Sequence, residues 1–507
     1  MKQPATLASA ASACLLLTTA PASHAAVTES GDFTDIGTTR VYGNTGVGSL
    51  EVDTSSVFNP IGDRVTFGNL PGSTGTGLVT TGGTLNIETN LSVGLEGVGQ
   101  LTVSGGGVVN TGFGDNTIGF TAVNGNDSFI SVTGAGSAFN NGGERVDLVQ
   151  GSITIDDGAT MDAFAVDPQV PAATQYLFLL SPAGVGDEAS LTVSNGGVLD
   201  LTYEGTAPAS NANFSRLGIG DDLGASLAGQ AAVTVESGGQ IIGPEFVGLS
   251  TVGTLTARLT VDGPGSLVDI EQDLFTAAGG SARLDVTNEG RIETGRFFLE
   301  SGDTQVNILS GGQVISAGPF VGLADFNAVV EMNIRGNGSL FRAAGDIELG
   351  FGDAQDATAV ITLGEGGRLK GGNLVATFNA GDSSTFVFSI GDDGEGNIAS
   401  GTIDVTSVSL GSGETLFQLQ VEPGALLSVG DTFVLFDYDT SFSGVFDNVS
   451  DGEIVLAGGF EFLIDYDDPD FGGTAFTATV IPEPASLVLL AAGGVVLARR
   501  RRDECDD

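Results

Sequence analysis

Apolar and polar positions follow one short pattern that recurs along the chain. It runs apolar, polar, apolar, two or three polar residues, Gly, one residue, apolar. Clear copies are Leu101-Thr-Val-Ser-Gly-Gly-Gly-Val-Val109, Leu191-Thr-Val-Ser-Asn-Gly-Gly-Val-Leu199 and Val233-Thr-Val-Glu-Ser-Gly-Gly-Gln-Ile241. Further copies begin at Leu259, Leu284, Val306, Met332 and Ile361, and looser ones at Leu50, Ile130 and Ile153. From Val233 onward the copies are spaced by 26, 25, 22, 26 and 29 residues. A near-constant period in that range is the mark of a solenoid.

Each copy has a simple physical content. Leu-Thr-Val alternates with period two, so one side of a strand is buried. The Gly-Gly or Asn-Gly after it permits positive φ at no steric cost, and the chain turns. A second short strand follows. Upstream of many copies an apolar residue precedes Gly, as in Val93-Gly94, Ile118-Gly119, Ile219-Gly220, Val247-Gly248, Val321-Gly322 and Leu349-Gly350. One repeat therefore carries about three short strands, and none has the amphipathic run of ~10–15 residues that a helix requires. A unit this small buries its apolar side only by stacking on its neighbours. The expected fold is all-β: a parallel β-helix, taken as right-handed by analogy. At ~25 residues per coil and ~4.8 Å per rung, 350 residues make roughly 14 coils and a rod of about 65–70 Å.

The pattern divides the chain. Residues 1–25 read as a secretory signal: Lys2, an apolar run around Cys14-Leu-Leu-Leu17, then the small-x-small sequence Ser23-His24-Ala25, with cleavage expected between Ala25 and Ala26. Residues 26–100 are read as an N-terminal cap with irregular first coils, and 101–399 as the repeat body. The long gaps between the copies at 153, 191 and 233 contain Pro168, Pro171, Pro182 and Pro208. They are either loops bulging from the stack or an extra coil plus a loop, and they are the first places to look for a binding surface. Residues 400–480 carry longer strands, such as Thr432-Phe-Val-Leu-Phe-Asp437 and Ala475-Phe-Thr-Ala-Thr-Val480. They are read as an antiparallel β cap closing the last open edge.

The 507 residues carry a formal net charge of −46, which argues against nucleic acid as a partner. Eighty glycines beside 41% hydrophobic residues fit many tight turns in a folded β protein. The two cysteines and single histidine are Cys14, Cys505 and His24, all near the termini. The body thus has no thiol nucleophile, no Cys/His zinc site and no Ser-His-Asp triad.

The C-terminus is the most specific stretch. Ile481-Pro482-Glu483-Pro484 is followed by fourteen apolar or small residues, 485–498, then Arg499, Arg500, Arg501 and Arg502. As a helix, fourteen residues span about 21 Å, short of the ~30 Å hydrocarbon core, and the arginines form a cytoplasmic stop. A short transmembrane helix that holds the exported chain for a time is expected; a plain anchor is the alternative. The order Pro-Glu-Pro, short apolar segment, Arg cluster resembles the PEP-CTERM sorting signal. That resemblance implies an exosortase that recognises Pro482, Glu483 and Pro484, cuts near them, and passes the body to the cell surface or medium, commonly alongside exopolysaccharide. The acidic residues 503–507 depart from that pattern, which tends to end at the arginines. The repeats and the end piece together resemble autotransporter-type passenger domains.

Known parallel β-helices include polysaccharide lyases and glycosidases, and glycoside hydrolysis needs paired carboxylates. Asp156-Asp157, Asp221-Asp222, Asp392-Asp393 and Asp467-Asp468 are such pairs, but Asp also favours turns. Arg283, Arg291 and Arg296 are the densest basic group. Asp465-Tyr-Asp467-Asp468-Pro-Asp470 and Asp437-Tyr-Asp439 space oxygen ligands closely enough for weakly held calcium, without matching an EF-hand. The Gly-x-Gly strings have no following helix and cradle no phosphate. No catalytic residue, cofactor or built metal site is assigned. The expectation is an exported structural or adhesive protein, non-enzymatic, with a polysaccharide-active enzyme on the same scaffold as the alternative.

Overall fold

A computed structural model describes residues 26–482, apart from 61–63, 113–115, 119–126, 143–144, 164–175, 183, 185, 203–214, 221–228, 250–254, 277–279, 300–301, 323–328, 351–356, 378–381, 412 and 472. The described residues are all-β except for one short 3-10 turn, Pro469–Phe471. The expected C-terminal membrane helix falls at 485–498, outside the described residues, as does the signal segment 1–25.

Each coil lays down three strands, and each strand pairs in parallel with its counterparts in the coils before and after. The first face runs from Val47–Asp53 to Glu414–Val421. Of its 16 strands, Ala26–Gly31 and Ile398–Ser400 pair antiparallel; the remaining 14 run parallel. At ~4.8 Å per rung this face is about 60 Å long. The second face runs from Val57–Phe58 to Thr402–Leu410, and the third from Thr39–Tyr42 to the same strand. That strand joins both ladders: Ile403 is opposite Leu369 on the second face and Val408 opposite Leu374 on the third.

The period-two pattern is seen directly as alternating burial. In Gln230–Glu236, Ala231, Val233 and Val235 are buried and the residues between them are not. Stacked residues such as Leu101, Ile130, Ile153, Leu191 and Val233 form one continuous interior. Outside, on the second face, Asn59, Asn86, Asn110 and Asn140 form a ladder in which each side-chain amide donates to the asparagine of the previous rung at 2.8–2.9 Å. Such ladders hold identical positions in register.

The turn from the first to the second face explains the glycines. In Ser194-Asn195-Gly196-Gly197, Asn195 and Gly196 have φ of 48° and 74°, and the Gly197 N–H donates to the Ser194 carbonyl at 2.8 Å. Two successive left-handed residues closed by that bond make a type I′ turn. Gly197 itself needs no positive φ. It is glycine because a Cβ there would lie 2.4 Å from the Ile155 carbonyl oxygen of the preceding rung. Of the apolar-Gly markers, Gly94, Gly220 and Gly350 have positive φ at the corner after the third face, whereas Gly248 and Gly322 lie inside strands.

The long gaps add no coil. Gly151–Asp156 pairs directly with Glu188–Val193, and that strand directly with Gln230–Glu236. The surplus residues at 164–175, 203–214 and 221–228 lie outside the described residues. The parallel ladders also continue beyond 399: Glu414–Val421 pairs in parallel with Ser383–Asp392, and Thr432–Ser443 with Thr402–Leu410. The antiparallel part is Thr432–Ser443, Ile454–Ala457, Phe460–Asp465 and Ala475–Ile481. Its aromatics plug the end of the interior, with Phe436 and Phe417 packed 5.5 and 5.4 Å from Phe476. At the other end two antiparallel strands close the stack: Ala26–Gly31 on Val47–Asp53, the first strand of the first face, and Phe33–Ile36 on Thr39–Tyr42, the first strand of the third. Buried Tyr42 stacks on Phe67 at 5.3 Å and donates its hydroxyl to Glu29.

Candidate functional site

The first face carries the most organised charge. Register places Arg258 beside Arg283 and Asp285 beside Asn307, so residues 22 to 27 apart in sequence meet on one patch. Asp285 points outward yet is almost fully covered. It accepts from Arg258 at 2.8 Å, Arg283 Nε at 2.8 Å and Asn307 at 2.7 Å. Burial pushes its carboxyl up, but the hydrogen bonds from Arg283 and Asn307 and the nearby positive charges outweigh burial, and its pKa lies below the usual carboxylate range. The same bond holds the Arg283 guanidinium above its ordinary value.

Beside this patch lies a shallow groove of about 380 Å³, lined by Arg283, Asp303, Gln305 and Glu331 among others. Gln305 donates to Glu331 at 3.2 Å. A second hollow of about 500 Å³ on the same face is lined by Asp127, Gln150 and Glu188. Both are open depressions between outward side chains of adjacent rungs.

The structure separates the other basic residues singled out in the sequence. Arg283 is on the first face; Arg291 is on the second, paired with Glu293 at 2.6 Å; Arg296 is on the third, paired with Asp273 at 2.6 Å. The described acidic pairs serve turns and caps. Asp156 accepts from Asn195 and Ser194, both at 2.8 Å, and these bonds lower its pKa, while Asp157 sits in the turn at φ 55°. Asp392 accepts the Gly394 and Gly396 N–H groups, and Asp393 those of Glu395 and Asn397. Asp468 is buried and accepts from Thr477 Oγ1 and the Asp470 N–H, both at 2.9 Å. Asp221 and Asp222 are outside the described residues.

For calcium, the 465–470 stretch turns only part of its carboxylates inward: Asp468 is buried, while Asp467 and Asp470 are exposed. Tyr438 donates to Asp467, and Asp465 has a raised pKa because of burial first, then the negative charge of Asp451, Asp468 and Asp467. Asp437 and Asp439 are exposed. Among the described residues, no group of three or more His, Cys, Asp or Glu is placed to hold a metal ion.

At the C-terminal end the last strand, Ala475–Ile481, leads without a linker into Pro482. Glu483, Pro484 and the four arginines Arg499, Arg500, Arg501 and Arg502 lie outside the described residues, as does Ala25; Ala26 opens the first strand. The Asp285 cluster escaped the sequence reading. Its signal was the spacing of Arg258 and Arg283, which equals one repeat, with Asp285 two residues on.

Residues 480–502 match the model of the PEP-CTERM protein-sorting motif. The motif marks an exported chain that an exosortase processes. A search of curated proteins finds no match. Among solved structures, the Hap adhesin of Haemophilus influenzae is similar over 86% of this chain and 64% of its own, at 12% identity and a TM-score of 0.15. The chain thus spans 64% of that adhesin's length.

Proposed function

We propose that this protein is a rigid, surface-displayed or matrix rod with a structural or adhesive role beside exopolysaccharide. In this reading an exosortase cuts near Pro482, Glu483 and Pro484 after transient anchoring in the inner membrane, and the body acts without catalysis. The observation that carries the reading is a stack that runs from a capped first rung to a plugged last one and is followed at once by the sorting motif. The described acidic pairs support the non-enzymatic part, since they accept hydrogen bonds from, or sit within, the protein's own turns.

The test is a glycan array joined to a turnover screen on the purified processed chain. Binding of acidic or neutral glycans without new sugar ends is the expected result. New reducing or unsaturated ends would overturn the reading in favour of a polysaccharide-active enzyme, for which the groove beside Arg283, Asp303 and Glu331 is the place to substitute first.

A further inference from the structure

We infer that the end of the rod from which the chain exits toward 485–498 is built to sit on a lipid surface, through Leu426, Val429 and Leu456. This rests on the reading of 485–498 as a membrane-held segment.

The exit end is fixed by four neighbouring pieces of backbone. Ile481 is opposite Glu461, and Glu461 is opposite Leu456, so Leu456, Glu461 and Ile481 share one row across the terminal sheet. On the other side of the last strand, Gly430 N–H donates to the Val480 carbonyl at 2.9 Å, which brings Val429 level with Pro482. The loop that starts after Val421 is held at the same end, because a Cβ on hairpin-tip Gly458 would meet the Val421 side chain at 2.6 Å. The hairpin tip, the 422–431 loop and the chain exit therefore form one surface.

That surface leaves large apolar side chains uncovered, as the opposite end does at Val47 and Val57. Leu426 at 83% and Leu456 at 72% are the two most exposed large apolar side chains among the described residues, and Val429 is at 63%. Between Glu422 and Asp431 the loop reads Pro-Gly-Ala-Leu-Leu-Ser-Val-Gly, eight residues without a charge in a chain of net charge −46. Glu422 is turned away into bonds with Arg335 and Ser389. With no linker between Ile481 and the sorting motif, a chain held in a bilayer through 485–498 brings this rim to the headgroup region. There exposed apolar side chains gain by seating at the acyl boundary, and the uncharged loop avoids desolvation. The rim would hold the rod upright on the membrane and fix how Pro482-Glu483-Pro484 is presented until it is cut.

The chain has no tryptophan, so single reporters are clean. The full chain is reconstituted into phosphatidylethanolamine/phosphatidylglycerol vesicles with and without nitroxide-labelled lipid, as L456W, V429W or, at the opposite end, V57W, where the side chain is 61% exposed. Co-flotation reports anchoring, and circular dichroism melts confirm that each variant folds. The rim reporters are expected to lose about half their fluorescence to the quencher, since interfacial side chains seat about 5–10 Å into the boundary; V57W stays unchanged. A chain that floats but whose rim reporters are not quenched overturns the lipid contact while the anchor stands. A chain that does not float removes the anchor and the proposal with it. Rim fluorescence that shifts with protein concentration rather than with lipid assigns the surface to a second copy instead.

Discussion

Gly107 stands directly against the Val79 carbonyl oxygen of the preceding rung: a Cβ built on Gly107 would lie 2.4 Å from it. The Val79 carbonyl already accepts the Ser104 N–H at 2.9 Å, so neither group has room to move. Gly107→Ala is expected to destabilise the body by about 2–3 kcal/mol by forcing backbone apart. Its neighbour Gly106 is different: φ is +79°, and nothing lies closer than 4.0 Å to its virtual Cβ. Gly106→Asn is expected to cost about 1 kcal/mol or less, because Asn tolerates left-handed backbone. Urea unfolding with hydrogen exchange at Ser104 and Val108 checks the contrast; equal losses for the two variants would count against it.

Three rungs use a different turn, and its serine is buried for a reason. In Gly263-Pro-Gly265-Ser266, Ser266 Oγ accepts the Gly238 N–H of the preceding rung at 3.1 Å and donates to its own Asp262 carbonyl at 2.6 Å. Ser339 makes the same pair of bonds to Gly311 and Arg335. Ser137 likewise accepts the Gly106 N–H at 3.1 Å. Ser266→Ala leaves two half-buried backbone groups without this partner and is expected to cost about 1 kcal/mol. The loss should be local: faster exchange of the Gly238 amide, with distant rungs unchanged.

Asp285 makes part of the stability depend on acid. Its folded pKa lies below the unfolded value of about 3.9, so its contribution is fully present above that pH and is lost as pH falls through the folded value. Both arginines are about half exposed, which weakens the pair. Asp285→Asn is therefore expected to cost about 1–2 kcal/mol at pH 7. The gap between wild type and variant should close below pH ~4 as the wild-type carboxyl protonates. Paired melting curves across pH 2–7 measure this; a constant gap would show that Asp285 acts by packing alone.

Replacing Pro482, Glu483 and Pro484 together by alanine is expected to leave uncut, membrane-held protein, read as a larger band in the membrane fraction. Only Pro482 follows the terminal strand within the described residues, and Ala475–Ile481 pairs on both sides without it. The melting temperature of the body should therefore stay the same. Unchanged release would sink the assigned role of the motif.

The local parts of the fold were legible because they are written in adjacent residues. Alternation in Leu-Thr-Val sets one buried side, and the Gly near the seventh position of each copy stands between the turn and the next strand. The reason for that Gly was only half legible. In Asn195-Gly196-Gly197 the second glycine answers to a carbonyl 42 residues earlier, Ile155, which no local pattern names. The Arg258–Arg283–Asp285–Asn307 patch likewise joins three rungs and exists only once the register is fixed.

The repeat disappears from the sequence near 400, yet the ladders run on. Thr402–Leu410 covers two faces in one strand, so the side-chain period changes while the backbone still pairs. Backbone hydrogen bonding is indifferent to the spacing of Gly and Val, whereas the repeat is defined by it. For the same reason the long gaps between 153 and 233 add no rung.

By itself, the sequence determined that short alternating strands would stack in parallel and that the chain ends in a sorting signal, since periodicity and a contiguous motif are both local properties. Only the tertiary structure decided which residues share a rung, which carbonyl a glycine must clear, and that Leu426, Val429 and Leu456 ring the exit of the last strand. Those are distances between segments tens of residues apart, and they follow from the register of the stack.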